Sequence, residues 1–219
     1  MQDKILMPGD LAGNYNEKWT KTFDLKFLFL WISLFILLLT WTIIFDPNLF
    51  QAVEFFQRTC IKLFIMMILA LFGGMLCRHY CNTDEKGYIT TSKNKWFKVN
   101  YTRKIQHFAA YLVPLLSPPT EPLGILPHLW ESLFVLFMFL VLIKPIREFS
   151  SFFMLQFNSL DRVEDRPNTL QWIILGNMLP GLLIITVFKQ IFEIYLGLPL
   201  LATVVVLTVA IGDGFAEPD

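Results

Sequence analysis

The stretch Phe27-Leu28-Phe29-Leu30-Trp31-Ile32-Ser33-Leu34-Phe35-Ile36-Leu37-Leu38-Leu39-Thr40-Trp41-Thr42-Ile43-Ile44-Phe45 contains no ionisable side chain. A helix needs about 20 apolar residues to cross the hydrocarbon core of a bilayer. This stretch therefore reads as a transmembrane helix, and it sets the expectation for the rest of the chain. Four further apolar runs follow: Cys60–Cys77, where Gly73-Gly74 permits close helix packing, then Leu129–Ile146, Trp172–Phe188 and Tyr195–Ile211. Phe108–Leu126 is a weaker run broken by Pro114, Pro118, Pro119 and Pro122. Proline removes a backbone donor and clashes with the preceding turn. Irregular backbone is tolerated at membrane depth only where it is buried in protein or lines a cavity. The proline-broken run is read as a short or discontinuous span, with a re-entrant or surface segment as the alternative. The expected fold is an all-α, multi-pass transmembrane helical bundle of about six spans, one of them proline-broken. It comprises a polar cytoplasmic tail at 1–26 and a polytopic membrane domain at 27–219.

Composition agrees with this reading. The chain has 219 residues, of which 55% are hydrophobic and only 16% charged, and its mean hydropathy is +0.53. In an ordinary soluble domain charged residues approach a quarter of the chain. Lysine and arginine total 18 against 18 acidic residues, so nothing marks a nucleic-acid partner electrostatically. Cys60, Cys77 and Cys81 are odd in number and sit beside apolar runs, which gives no disulfide framework.

The basic residues orient the bundle. If the proline-broken segment crosses, all of the 18 lysines and arginines except Arg58, Lys62 and Lys189 fall on one side. The positive-inside rule makes that side cytoplasmic, with both termini inside. His128 and Glu131 then belong to the opposite interface and are read as solvated there.

Three polar clusters converge on the cytoplasmic face. In Arg103-Lys104-Ile105-Gln106-His107, a helix puts Arg103 and His107 on one face, with Lys104 close by. Two cations and an imidazole there make a phosphate grip, or alternatively a basic helix end resting on anionic lipid heads. Asp161-Arg162-Val163-Glu164-Asp165-Arg166-Pro167 carries three carboxylates that could hold a cation or act as a base. Intraloop salt bridges at an exposed site are the plainer reading of that loop. Gly212-Asp213-Gly214-Phe215-Ala216-Glu217 places two carboxylates four apart beside an apolar run. Acids at a membrane edge need a partner, and Mg²⁺ is one candidate; a charged chain end is the alternative. Asn177 lies mid-span among Gly176, Pro180 and Gly181 and suits either a substrate hydroxyl or an interhelical hydrogen bond.

Taken in order, the elements Arg103-Lys104-Ile105-Gln106-His107, Glu164-Asp165-Arg166-Pro167 and Gly212-Asp213-Gly214-Phe215-Ala216 resemble those of the polytopic CTP-dependent lipid kinases. That family includes dolichol kinase, phytol kinase and fungal-type diacylglycerol kinase; its distant relatives are the CDP-diacylglycerol synthases. The resemblance covers roughly Lys98 to Glu217 and implies transfer of the γ-phosphoryl group of CTP to a membrane lipid alcohol. It implies Mg²⁺ held by Asp213 and Glu217, phosphate contacts from Arg103, Lys104 and Arg166, and Asp165 as the base, with His107 in reserve and Asp213 at the reacting centre. Asn177 would line the lipid access route. Family members continue beyond the Gly-Asp-x-x-Ala segment, so the resemblance also implies a catalytic domain incomplete at Asp219; a missing C-terminal fragment, or other copies of the chain in a homo-oligomer, are the protein partners expected. A phosphatidate cytidylyltransferase and a non-enzymatic membrane protein (transporter, scaffold or inactive fragment) are the competing readings.

Overall fold

Two proline-determined breaks shape the helical part of the chain. The computed structural model describes residues 17–112 and 124–198, together with Leu201, Val204 and Thr208. Helix α1 (Glu17–Phe45) ends where Pro47 withdraws a donor and restricts Asp46, and a 3₁₀ turn over Pro47–Gln51 reverses the chain into α2 (Val53–Tyr80). A hairpin of β1 (Cys81–Thr83) and β2 (Ile89–Ser92) follows, then α3 (Val99–Leu112) and α4 (Ile125–Leu140). Short helices α5 (Lys144–Phe149) and α6 (Ser151–Asn158) lead to a 3₁₀ turn at Val163–Asp165. The last long helix begins as α7 (Thr169–Gln171), widens to a π-helical stretch over Trp172–Met178, and continues as α8 (Leu179–Lys189). Pro180 has no N–H and crowds the carbonyl of Gly176, which accounts for a widened turn at that point.

Three of these helices, Thr22–Phe45, Val53–Tyr80 and Thr169–Phe192, are long and apolar enough to cross a membrane. Their outward faces carry exposed Phe29, Ile36, Leu37, Ile61, Phe64, Phe72 and Leu183, an apolar surface far larger than single scattered residues give. Among the described residues the buried side chains form three clusters, a small one of Cys77, Cys81 and Ile89 at the hairpin and two larger ones along the bundle. Phe27, Leu140, Phe157 and Ile174 belong to one, and Leu38, Leu49, Phe55, Leu126 and Trp130 to the other. Helices α1 and α4 are latched by indole donors: Trp31 Nε1 donates to Leu133 O at 3.0 Å, and Trp130 Nε1 to Thr42 Oγ1 at 2.9 Å.

Four points correct or refine these expectations. The chain is predominantly helical as expected, and residues 81–92 add a short two-stranded hairpin. Asp84 Oδ1 accepts from the Tyr88 amide at 2.8 Å and Gly87 takes φ +88°, so the Asp-Glu-Lys-Gly sequence builds the turn. The span expected over Leu129–Ile146 stops at Leu140, since Pro145 clashes with the carbonyl of Val141 and opens α5 instead. Helix α1 begins at Glu17, inside the stretch read as a polar tail. Asp24 is buried there, and its Oδ2 accepts from the Lys144 amide at 2.8 Å, capping α5 from another helix. The fourth correction concerns His128 and Glu131 and belongs with the site geometry. The spans expected at Phe108–Leu126 and Tyr195–Ile211 fall largely outside the described residues.

Candidate functional site

Glycines on α2 create the close contact from which the site is built. A Cβ on Gly74 would lie 1.9 Å from Leu155 O, and one on Gly73 3.0 Å from Ser159 Cβ. With no side chains there, α6 and the turn after it press directly onto α2. The carbonyl of Ser159 then receives the inner face of α3: Thr102 Oγ1 lies 2.8 Å from it and Gln106 Nε2 donates to it at 3.3 Å. Cys77 Sγ completes the junction 3.3 Å from Thr102 Oγ1.

The next face of α3 carries Arg103. Its Nη1 donates to Asp165 Oδ2 at 2.6 Å, and both side chains are only about one-eighth exposed, at 13% and 12%. Arg162 grips the same carboxylate in a fork, through Nε at 2.9 Å and Nη2 at 3.0 Å. Two guanidinium groups thus share one carboxylate. With the Asn177 amide oriented to satisfy its neighbours, Asn177 Oδ1 accepts from Arg103 Nη2 at 3.2 Å. Asn177 is exposed and sits in the π-helical stretch, so Arg103 bridges the polar loop and the outer surface of an apolar helix.

Behind this group lies a drier pair. Asp161 is fully buried; it accepts from Arg166 Nε at 2.8 Å and Nη2, while Thr169 Oγ1 donates to its other oxygen at 2.7 Å. Arg166 also lies over the Tyr88 ring. Tyr88 donates to Glu148 Oε1 at 2.7 Å and accepts from Arg147 Nε at 3.2 Å. Burial pushes the Tyr88 phenol above its ordinary value, with Arg147 opposing the rise. A cavity of about 10 Å³ between Asp24, Arg147, Thr169 and Gln171 has room for about one water, and none for a nucleotide.

The sequence-derived residues therefore divide. Arg103, Asp165 and Asn177 come together. Arg166 is adjacent but committed to Asp161. His107 sits one turn along α3 and packs edge-on to Phe108 with ring centroids 6.2 Å apart; Lys104 is half-buried on the same helix. Asp213 and Glu217 lie outside the described residues. Among the described residues no group of three or more His, Cys, Asp or Glu is placed to hold a metal ion.

No family model, curated protein or solved structure matches this chain. What the arrangement can do is therefore argued from its own geometry.

Three features go beyond the sequence pattern. Arg162 lies three residues from Asp165, a spacing that allows the fork that forms. The salt bridges expected at an exposed loop are instead largely buried. At the other end of the bundle, His128 is buried and Glu131 is half-buried in ion pairs. Thr186 Oγ1 donates to Leu182 O at 2.7 Å, so the 2.8 Å contact between His128 Nε2 and Thr186 Oγ1 requires the hydrogen on Nε2. Glu131 accepts from Lys62 at 2.9 Å and has Lys189 at 4.0 Å. Polar residues in apolar helices pair with one another rather than face lipid, and these three helices are tied by that requirement.

Proposed function

We propose that the chain is a membrane phosphotransferase of the CTP-dependent lipid-alcohol kinase type, moving the γ-phosphoryl group of CTP onto the hydroxyl of a lipid such as dolichol, phytol or diacylglycerol. The position of Arg103 carries the reading. Its guanidinium lies between Asp165 in the polar loop and Asn177 on the exposed face of an apolar helix, where a soluble triphosphate and a lipid hydroxyl can meet.

The six-crossing arrangement with a cytoplasmic site belongs to the same proposal. Thr102 packs beside Cys77 near one end of α2, and Leu126 clusters with Phe55 near the other. A chain that changes ends between those contacts is what a crossing by the proline-broken segment requires.

Phosphoryl transfer needs positioning and charge neutralisation more than covalent chemistry. Arg103 and Arg162 with Asp165 carry one more positive than negative charge, and a planar guanidinium suits phosphate oxygens. The Arg103–Asp165 pair is the resting form. A triphosphate draws Arg103 away, and the released carboxylate accepts the proton of the lipid hydroxyl as its oxygen attacks the γ-phosphorus and CDP leaves. Asn177 orients that hydroxyl, and Arg166 acts from behind by holding the loop through Asp161. Mg²⁺ at Asp213 and Glu217 would supply further neutralisation of phosphate charge.

The test is transfer of label from CTP to these lipids in membranes carrying the chain. Label from the γ-phosphorus in the lipid product is expected. Label from the α-phosphorus with release of pyrophosphate would assign a cytidylyltransferase. No label from either position would overturn the proposal.

A further inference from the structure

The base of the hairpin carries a feature that the proposed site does not use. No acidic residue occurs between Glu85 and Glu121. Within that stretch, Lys93-Asn94-Lys95-Trp96-Phe97-Lys98 forms an ordered turn. Asn94 Oδ1 accepts from the Trp96 amide at 2.9 Å, the Phe97 amide donates to Asn94 O at 3.1 Å, and Ser92 Oγ donates to Asn94 O at 2.6 Å. Phe97 turns inward and packs on Tyr80, the last residue of α2, with ring centroids 4.9 Å apart. That contact fixes the turn level with the end of a membrane-length helix. Trp96 points the other way and is 75% exposed, with Lys95 Nζ 5.0 Å from its ring centroid. Lys93 and Lys98 are exposed beside it.

A large indole held in water by its own turn is unfavourable unless it has somewhere to go. Indoles favour the headgroup level, where one edge is apolar and the other wet. Lysines around it add attraction to anionic lipid, screened over a Debye length. We propose that this turn is an interfacial anchor that docks on the anionic phospholipid leaflet at the Tyr80 end of the bundle, with Trp96 inserted among headgroups and Lys93, Lys95 and Lys98 on lipid phosphates. The proposal rests on the membrane reading of the helices and is independent of any catalysis.

The full chain, with 5-fluorotryptophan in place of tryptophan, is placed in phosphatidylcholine nanodiscs with or without about 30 mol% phosphatidylserine. The Trp96 fluorine resonance is assigned by its loss in Trp96→Phe. A water-soluble gadolinium chelate then reports its exposure, and the buried Trp130 resonance serves as the internal control for folding. Phosphatidylserine is expected to lower broadening of the Trp96 signal by about fivefold or more. The combined Lys93→Gln, Lys95→Gln and Lys98→Gln variant, or about 1 M salt, should remove that protection while the Trp130 signal stays unchanged. Equal broadening in the two lipids, protection that survives the triple variant, or protection produced by inorganic phosphate in phosphatidylcholine alone would each overturn the proposal. Failure of the chain to enter nanodiscs would overturn it together with the membrane reading.

Discussion

Arg103 and Asp165 are 62 residues apart in the chain and 2.6 Å apart in the fold. The contact joins α3 to the 3₁₀ turn that precedes the last long helix, and Gly73 and Gly74 support it by letting α3 and α6, with Ser159 after it, close onto α2. A pair with both partners about one-eighth exposed is neither a freely screened surface bridge nor a fully dry one.

That intermediate burial sets the expected coupling. In a double-mutant cycle, Arg103→Ala and Asp165→Asn should be non-additive by about 1–2 kcal/mol in unfolding free energy. In the transfer assay, Arg103→Ala should lower turnover by about a hundredfold, and Arg103→Lys should recover little because an ammonium cannot reproduce the fork. Additive stability effects would show that the two side chains do not meet in solution.

Asp161 behaves differently because it is fully buried with Arg166 and Thr169 on its oxygens. Asp161→Ala leaves a buried guanidinium without its carboxylate and should destabilise the protein by about 3–5 kcal/mol. Thr169→Val removes one hydrogen bond and should destabilise it by about 1–2 kcal/mol. Thermal unfolding in detergent separates the two; an unchanged midpoint for Asp161→Ala would be incompatible with the buried pair.

The long helices were legible because lipid-facing helices are written as unbroken apolar runs, as Phe27–Phe45 is. The clustering of Arg103 with Asp165 on one face was legible from the charge asymmetry of the loops. The contact itself was not, since no local rule joins residues so far apart. The pairing of His128 and Glu131 is hidden in the sequence for a related reason. Taken singly, each looks like an interface residue, and only the fold supplies Thr186 and Lys62. The break at Val141 and the hairpin were both readable: Pro145 forbids the helix, and Asp84-Glu85-Lys86-Gly87 before β-branched residues is a turn signal. The pull of the apolar runs on either side concealed them.

Substitutions at the glycines should rank by what a Cβ would meet. Gly74→Ala drives a methyl into the Leu155 carbonyl at 1.9 Å, a backbone atom that cannot swing aside. It should cost about 2–4 kcal/mol and loosen the Thr102–Ser159 junction. Gly73→Ala meets Ser159 Cβ at 3.0 Å and should cost less. Gly176→Ala, whose nearest neighbour is Trp172 Cε3 at 3.6 Å, should be close to neutral. Unfolding midpoints of the three variants check the order, and equal midpoints for Gly74→Ala and Gly176→Ala would contradict the packing of α2 on α6.

Tyr88 predicts an alkaline limit to stability. Burial raises its phenol above the ordinary value of 10.0, so the folded chain keeps a proton that the unfolded chain releases. Its contribution is therefore complete below pH about 10 and is lost as pH climbs from there toward the raised folded value. Ionisation would also set a phenolate against Glu148, its hydrogen-bond acceptor at 2.7 Å. Absorbance at 295 nm should show an ionisation step that coincides with the fall of the helical signal and is absent from Tyr88→Phe. Tyr88→Phe should be less stable at neutral pH by about 1 kcal/mol and should lose less stability above pH about 10 than the parent. Ionisation of every tyrosine while the helices remain intact would contradict the buried placement of Tyr88 between Arg147 and Glu148.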